Sequence, residues 1–377
     1  MVLISMAIGC QSPGTSLPIA PTAPPGAANA RTWSSIRWEN QPLPQSDGVL
    51  SVLGVAAGPK GIVAIGFDET GPGSHGAVWF SADGGDWVRV GEPEVLAQVQ
   101  LADVAANADG FTIIATTGLP STAVVFQSSD GVEWQRVADG PQFANAHVGS
   151  LAGKGDELLA VGTDASGKAL SIRSVGAAGW ERLSSDDMGL SDGVVSSITA
   201  SPDGWIGTGA IGPDGRSATM FQSADGVSWQ QIILPVAPAG EYPVATASAT
   251  VGRWATLVRG TEATKCEFLR ECEFGAVTWW SADRRAWARL PASEEAPQEG
   301  SVLAAGGDVG FVAVSAGGSS VSADGLSWAA LDAIGGAERQ VLDVAVIGDT
   351  VVAVGELPIA AGLYLSGGWI ATGHGRD

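Results

Sequence analysis

Short apolar runs punctuated by Gly, Asp and Pro follow one another along the whole chain, and none keeps the 3.6-residue spacing of an amphipathic helix. The first unit shows the scheme: Val49 to Ala57, a Gly-Pro-Lys-Gly turn, Ile62 to Phe67, a connection, Ala77 to Phe80, an Asp-Gly turn, then Trp87 to Val90. This pattern predicts four short strands in an antiparallel meander. Counterparts of the second strand recur as Phe-Thr-Ile-Ile-Ala, Leu-Leu-Ala-Val-Gly, Trp-Ile-Gly-Thr-Gly, Trp-Ala-Thr-Leu-Val, Phe-Val-Ala-Val-Ser and Val-Val-Ala-Val-Gly, each after a turn containing Gly or Asp. First strands are expected to begin near residues 49, 100, 147, 193, 243, 301 and 340. Their nearly continuous small and apolar character suits sheets covered on both faces.

Between the third and fourth strands a phrase returns in phase with the units. It places Ser81, Asp83, Gly84 and Trp87; Ser128, Asp130, Gly131 and Trp134; Ser223, Asp225, Gly226 and Trp229; and Ser322, Asp324, Gly325 and Trp328 at matching positions. Ser281, Asp283 and Trp287 form a copy without the Gly, and a weaker copy ends at Trp180. Successive Trp residues lie about 40 to 58 residues apart, the length of one propeller blade. In such a turn the Asp side chain accepts from neighbouring backbone amides, the Gly takes positive φ without steric cost, and the Trp buries its ring while its indole N–H seeks an acceptor. The phrase resembles the Asp-box of sialidase-type propellers, Ser-x-Asp-x-Gly-x-Thr-Trp, shortened by one residue and lacking the Thr.

The expected fold is therefore all-β: a seven-bladed β-propeller of four-stranded antiparallel blades, occupying residues 31–377 as a single domain. The seventh unit, from about Arg339 to Ile370, lacks a full turn phrase, whereas Trp33-Ser-Ser-Ile36 matches the fourth-strand pattern of Trp134-Gln-Arg-Val137. The ring is thus expected to close through an amino-terminal strand, which removes an open edge.

Composition narrows the partners. Forty acidic residues oppose 19 basic ones, for a net charge of −21, and no Lys/Arg cluster tracks a phosphate backbone, so nucleic acid is excluded as a partner. No apolar run approaches the roughly 18 residues of a membrane span. The first residues, Met-Val-Leu-Ile-Ser-Met-Ala-Ile-Gly, precede Cys10 and a Ser-, Pro-, Thr- and Ala-rich stretch to Ala30. This arrangement resembles a bacterial lipoprotein signal, which implies an export signal over residues 1–9, lipidation of Cys10 and a tether over 10–30; a chance Cys in a trimmed leader is the alternative. The resemblance implies an exported protein held at the outer face of the cytoplasmic membrane, or elsewhere in the envelope, by its lipid alone. Cys266 and Cys272 lie close together in the insertion that makes the fifth unit the longest, and a disulfide is expected there; a metal pair is the alternative, short of ligands because only three His exist.

In sialidase-type propellers the Asp-box lies opposite the catalytic face, so it carries no activity. Sialidase chemistry requires three Arg on the substrate carboxylate and a Tyr nucleophile paired with a Glu. The resemblance directs attention to Tyr242, Arg216, Arg259 and Arg339, with Arg270 beside them. Tyr242 adjoins Glu241, but adjacent strand residues face opposite ways, and Tyr364 is expected inside a third strand. Asp68, Glu69, Asp139, Asp164, Asp186, Asp187, Asp192, Glu241, Glu294, Glu295 and Glu299 are expected on the same face, where an anionic sugar meets repulsion; Asp68 and Glu69 read as solvated loop residues. No calcium-loop spacing is present, so neither metal nor cofactor is expected. The leading expectation is a monomeric binding or scaffold propeller whose acidic loop face takes an envelope protein or a glycan. A glycoside hydrolase of the sialidase-like type and a purely structural surface protein are the alternatives.

Overall fold

In the computed structural model, the described residues run from 33 to 376 except 45–48, 69–74, 91–95, 97–98, 119–120, 139, 177–178, 212–216, 236–240, 252–254, 268–270, 291–296, 298–300, 307–308, 336–338 and 358–366. Each unit of the repeat folds into one antiparallel sheet. The first blade comprises β2 (Val49–Gly58), β3 (Gly61–Asp68), β4 (His75–Ser81) and β5 (Val88–Val90). The second comprises β6 (Gln100–Asn107), β7 (Gly110–Thr117), β8 (Thr122–Ser128) and β9 (Gln135–Ala138). The third has β10 (Ala146–Lys154), β11 (Glu157–Asp164), β12 (Ala169–Ser174) and β13 (Trp180–Ser184), and the fourth β14 (Gly193–Ser201), β15 (Gly204–Ile211), β16 (Ser217–Ser223) and β17 (Gln230–Ile232). The fifth has β18 (Glu241–Val251), β19 (Ala255–Glu267), β20 (Glu271–Ser281) and β21 (Ala288–Arg289), and the sixth β22 (Val302–Gly306), β23 (Gly310–Ser315), β24 (Gly318–Ser322) and β25 (Ala329–Leu331). The last sheet joins β26 (Gln340–Ile347), β27 (Thr350–Glu356) and β28 (Gly368–Arg376) to β1 (Ser35–Gln41).

Among the described residues, seven four-stranded sheets result. Their first strands touch in cyclic order, β2 against β6 and onward to β26, which returns to β2, so the sheets form a closed all-β propeller. Closure is by strand pairing: β1 pairs antiparallel with β28 from Ser35 opposite Arg376 to Gln41 opposite Ile370, tying one end of the described chain to the other. Trp33 and Ile36 are buried in the core of this seam.

The core lies between blades. Val63, Ile65 and Val78 of the first blade pack with Leu101, Val104 and Phe111 of the second, and Leu159 and Val161 of the third pack with Trp205 and Phe221 of the fourth. Each such side chain contributes about 1.5–3 kcal/mol on burial, so the interfaces between sheets hold the ring together.

The innermost strands share one irregularity. A β-bulge interrupts the pairing at Val52/Gly54, Leu101/Asp103, Val148/Ser150, Val195/Ser197, Ala245/Ala247 and Val341/Asp343, six times at matching positions. The facing second strand supplies Gly66, Gly162, Gly209 or Gly355 in four blades. A Cβ on any of these would stand 1.9–2.1 Å from a carbonyl oxygen of the bulged strand. Glycine there permits the close backbone approach that the bulge demands.

Candidate functional site in the axial channel

A bulge leaves main-chain N–H groups outside the sheet ladder, and an orphaned buried amide costs free energy. The chain meets this requirement with side chains from the preceding blade. Asp103 on β6 accepts from the amide of Leu151 on β10 at 2.7 Å through one oxygen, and from its own neighbour Val104 at 2.7 Å through the other. Asp343 on β26 repeats the arrangement, accepting from Val55 on β2 and from Val344, both at 2.8 Å. Between the third and fourth blades Ser150 does the same, its hydroxyl accepting from the Ile198 amide at 3.2 Å.

These two acids flank one stretch of wall. Asp103 Oδ1 lies 3.7 Å from the point where a Cβ of Gly54 would stand, and Asp343 bonds the amide of the next residue, Val55. Two carboxyls from the second and last blades therefore converge on the first. Both residues retain partial exposure, as do the unpaired bulge residues Leu53, Ala102 and Leu342, while Gly149 and Ser196 are exposed. On the innermost strands of a ring that exposure opens onto the axial channel. The bulges lie in the first half of strands running from the face with the second-to-third-strand connections toward the face with the Ser-x-Asp-Gly turns. The pair thus sits nearer the loop face.

Dense surroundings disfavour a charge. Burial pushes Asp103 up to about 7, with repulsion from Asp343 next in size, while the amides of Leu151 and Val104 and the Ser150 hydroxyl oppose the rise. Burial likewise raises Asp343 to about 6 against its two amide bonds. Near neutrality the pair holds about one proton between two carboxyls. A carboxylate offers about four acceptor positions, so the three bonds to Asp103 and the two to Asp343 leave each acid an acceptor position to spare.

The residues singled out from the sequence are distributed differently. Arg339 sits at the loop-face end of the last blade, where its guanidinium lies 5.0 Å from the Trp369 ring centre and donates to Asn40. Desolvation lowers its pKa. Tyr242 is on β18 and Arg259 on β19, with their side chains outside the described residues, as are Arg216, Arg270, Tyr364 and Cys10. The insertion carrying Cys266 and Cys272 is not a loop but an extension of the β19–β20 hairpin, in which the two residues are direct cross-strand partners. Asp68, expected in solvent, is fully buried at the end of β3 and ion-paired with Arg89 on β5. Asp164 turns back on its own loop, accepting from Ser166 Oγ at 2.6 Å and the Ser166 amide at 2.8 Å, and these bonds, that of the Ser166 hydroxyl first, hold its carboxyl below the usual range. Asp187 is held low in the same way by Ser184.

The turn phrase occupies the opposite face. Ser81, Ser128, Ser223, Ser281 and Ser322 each accept, through Oγ, the amide three residues on, at 2.7–2.9 Å. Asp130, Asp225, Asp283 and Asp324 each take two further amides, and Asp83 takes that of Gly85. The indoles of Trp87, Trp134, Trp287 and Trp328 donate back to the carbonyl three residues earlier. Trp229 buries its ring, but its indole nitrogen has no partner among the described residues. These contacts are all internal to the turns. Among the described residues no group of three or more His, Cys, Asp or Glu is placed to hold a metal ion.

The chain is thus a propeller of four-stranded antiparallel blades with an acid pair in its channel. Its sequence matches no known family profile and no curated protein. Among solved structures it is similar to an α-L-arabinofuranosidase of Fusarium graminearum in complex with an iminosugar inhibitor, at a TM-score of 0.52 and 10% identity, over 89% of this chain and 97% of that one. An acylaminoacyl peptidase of Pyrococcus horikoshii aligns with a TM-score of 0.46 and 10% identity, over 84% and 51%, and a GH32 β-fructofuranosidase of Bombyx mori with 0.36 and 13%, over 90% and 92%. At 10% identity the likeness to the arabinofuranosidase is one of fold.

Asp103 and Asp343 were not among the residues the sequence singled out. Their signal is the shared phrase Gln-x-x-Asp-Val-Ala at 100–105 and 340–345, an ionisable residue inside an otherwise apolar first strand.

Proposed function

We propose that this is a seven-bladed, carbohydrate-directed propeller of the cell envelope, admitting its ligand at the loop face of the axial channel, with glycosidic-bond hydrolysis by Asp103 and Asp343 as its chemistry. The observation that carries this is the pair itself: two carboxyls on partly exposed residues, held against adjacent residues Gly54 and Val55, with about one proton between them near neutrality. Glycoside hydrolysis needs that combination, one carboxylic acid to protonate the leaving oxygen and one carboxylate to act on the anomeric carbon directly or through water. Asp103, with the more strongly raised pKa, takes the acid role and Asp343 the carboxylate role. Sialidase chemistry is not part of the proposal, since Arg339 is engaged with Trp369 and Asn40. Anchoring through a lipidated Cys10 and a Cys266–Cys272 disulfide complete the reading. The disulfide is supported by the direct cross-strand register of the two cysteines, a spacing compatible with a bridge.

One observation favours a second reading, binding of a glycan or envelope protein without turnover. Both oxygens of each acid accept main-chain amides, as a staple between blades would. A panel of fluorogenic neutral glycosides, assayed with the native protein and with Asp103→Asn and Asp343→Asn, separates the two. Turnover that either substitution abolishes supports hydrolysis. Absence of turnover with retained binding on a glycan array moves the function to recognition, and absence of both reduces the pair to a staple.

A further inference from the structure

Four of the turns place Gly after the Asp with φ of 73–91° (Gly84, Gly131, Gly226 and Gly325), but the fifth has Arg284 at φ 60°. An L-residue in the left-handed region is strained, so this Arg is not what the turn requires. Its side chain, 9% exposed, reaches under the fourth blade, where Nη2 pairs with Asp203 in the β14–β15 turn. Nη1 is buried without a hydrogen-bond partner among the described residues. Beside it opens a cleft of about 400 Å³, with Asp203, Gln222, Ser228 and Gln230 of the fourth blade facing Arg284 and Arg285 of the fifth. That volume falls within the usual range of small-molecule sites, roughly 300–1,000 Å³, but the polar lining is unlike the apolar walls typical of them. The second blade has a sister cleft of about 340 Å³ with Asp109, Gln127, Glu133 and Gln135 at corresponding positions and no basic residue. What distinguishes the larger cleft is the guanidinium.

We propose that this cleft binds a neutral sugar unit, with the guanidinium of Arg284, a residue of its lining, donating to a sugar oxygen. Amide, carboxylate, hydroxyl and guanidinium groups alternate around it, and a hydroxyl, which donates once and accepts twice, matches such a lining. An anion would stand beside the carboxylates of Asp203, Asp225 and Asp283 in a chain of net charge −21. An apolar ligand would leave the guanidinium unsatisfied. The site lies on the face opposite the acid pair and does not depend on it.

Saturation-transfer NMR with arabinose, galactose, glucose and xylose, and with acetate and glucuronate as anionic probes, tests this on the full chain. At least one neutral sugar is expected to bind, and Arg284→Gly, which restores the residue of the other turns, should weaken that binding by at least about tenfold, the loss of one charged hydrogen bond. Should Arg284→Gly misfold by thermal melting, Arg284→Gln supplies the same comparison with the turn intact. Asp109→Ala in the sister cleft should leave the signal unchanged. Absence of neutral-sugar binding, binding unaltered by the Arg284 variants, or preference for glucuronate or acetate would overturn the proposal.

Discussion

The acid pair makes the stability of the ring depend on pH in a direction opposite to that of most carboxylates. The perturbation is ionisation of Asp103 and Asp343, in wild type and in Asp103→Asn/Asp343→Asn. Asp103 is raised from 3.8 to about 7 and Asp343 to about 6, mainly by burial. A carboxyl whose native pKa lies above its unfolded value contributes stability that is complete below about pH 4 and lost as pH rises through 6 and 7. At 1.36 kcal/mol per unit, the shift of Asp103 corresponds to roughly 4 kcal/mol and that of Asp343 to roughly 3. The two do not add fully, because part of the rise at Asp103 is repulsion from Asp343. The turn carboxylates behave oppositely: amide bonds hold Asp130 and Asp225 below the ordinary value, so their contribution is lost only as pH falls below about 4. A window from about pH 5 to 7.5 therefore isolates the channel pair. Urea unfolding across that window should show the wild-type midpoint falling with rising pH and the double variant nearly level. Equal slopes for the two proteins would refute the assignment of raised pKa values to these residues.

Three further outcomes follow from the packing. Arg89→Ala removes the ion-pair partner of the fully buried Asp68 carboxylate, and a loss of about 3 kcal/mol in chemical denaturation is expected, partly recovered when Asp68 is also made apolar. Gly355→Ala sets a Cβ 1.9 Å from the carbonyl oxygen of Gln340 and should cost at least about 2 kcal/mol, whereas Gly155→Ala, in open space at φ 62°, should cost about 1 kcal/mol. Reduction of the proposed Cys266–Cys272 bridge should release two titratable thiols under native conditions and lower stability by about 2 kcal/mol, the chain-entropy effect of so short a loop; finding both thiols free in protein isolated under oxidising conditions would exclude the disulfide.

Much of the architecture was legible because each blade repeats its own instructions. Residues 49, 100, 193 and 340 were expected to open inner strands and do so; 147, 243 and 301 fall within two residues of the observed starts. Strand periodicity and turn chemistry are local, so a single sequence states them. The seam was legible for the same reason, since Trp33 and Ile36 repeat the outer-strand pattern without a unit of their own. The site was not. Loop accounting favoured acids at strand ends, and Asp164 and Asp187 prove to be spent on their own turns, while Asp68 is spent on Arg89. Asp103 and Asp343 are 240 residues apart in sequence, and only closure of the ring brings them to either side of the first blade.

The two faces of the ring thus use the same residue type for different ends. On the turn face Asp130 is exposed, satisfied by amides of its own turn, and held low; its work ends within six residues of chain. Inside the channel Asp is densely surrounded, reaches across to the next blade, and is held high. A purely structural requirement at the bulge can be met by a neutral acceptor, as Ser150 shows by taking the Ile198 amide. Choosing a carboxyl instead at two positions adds a desolvation cost and a mutual repulsion that a hydroxyl would avoid. The two costly choices are not scattered around the ring but flank one glycine, Gly54. Amide capping explains why an acceptor is needed there, and the proposed glycosidic-bond hydrolysis, which moves a proton, supplies a reason for the acceptor to be an acid.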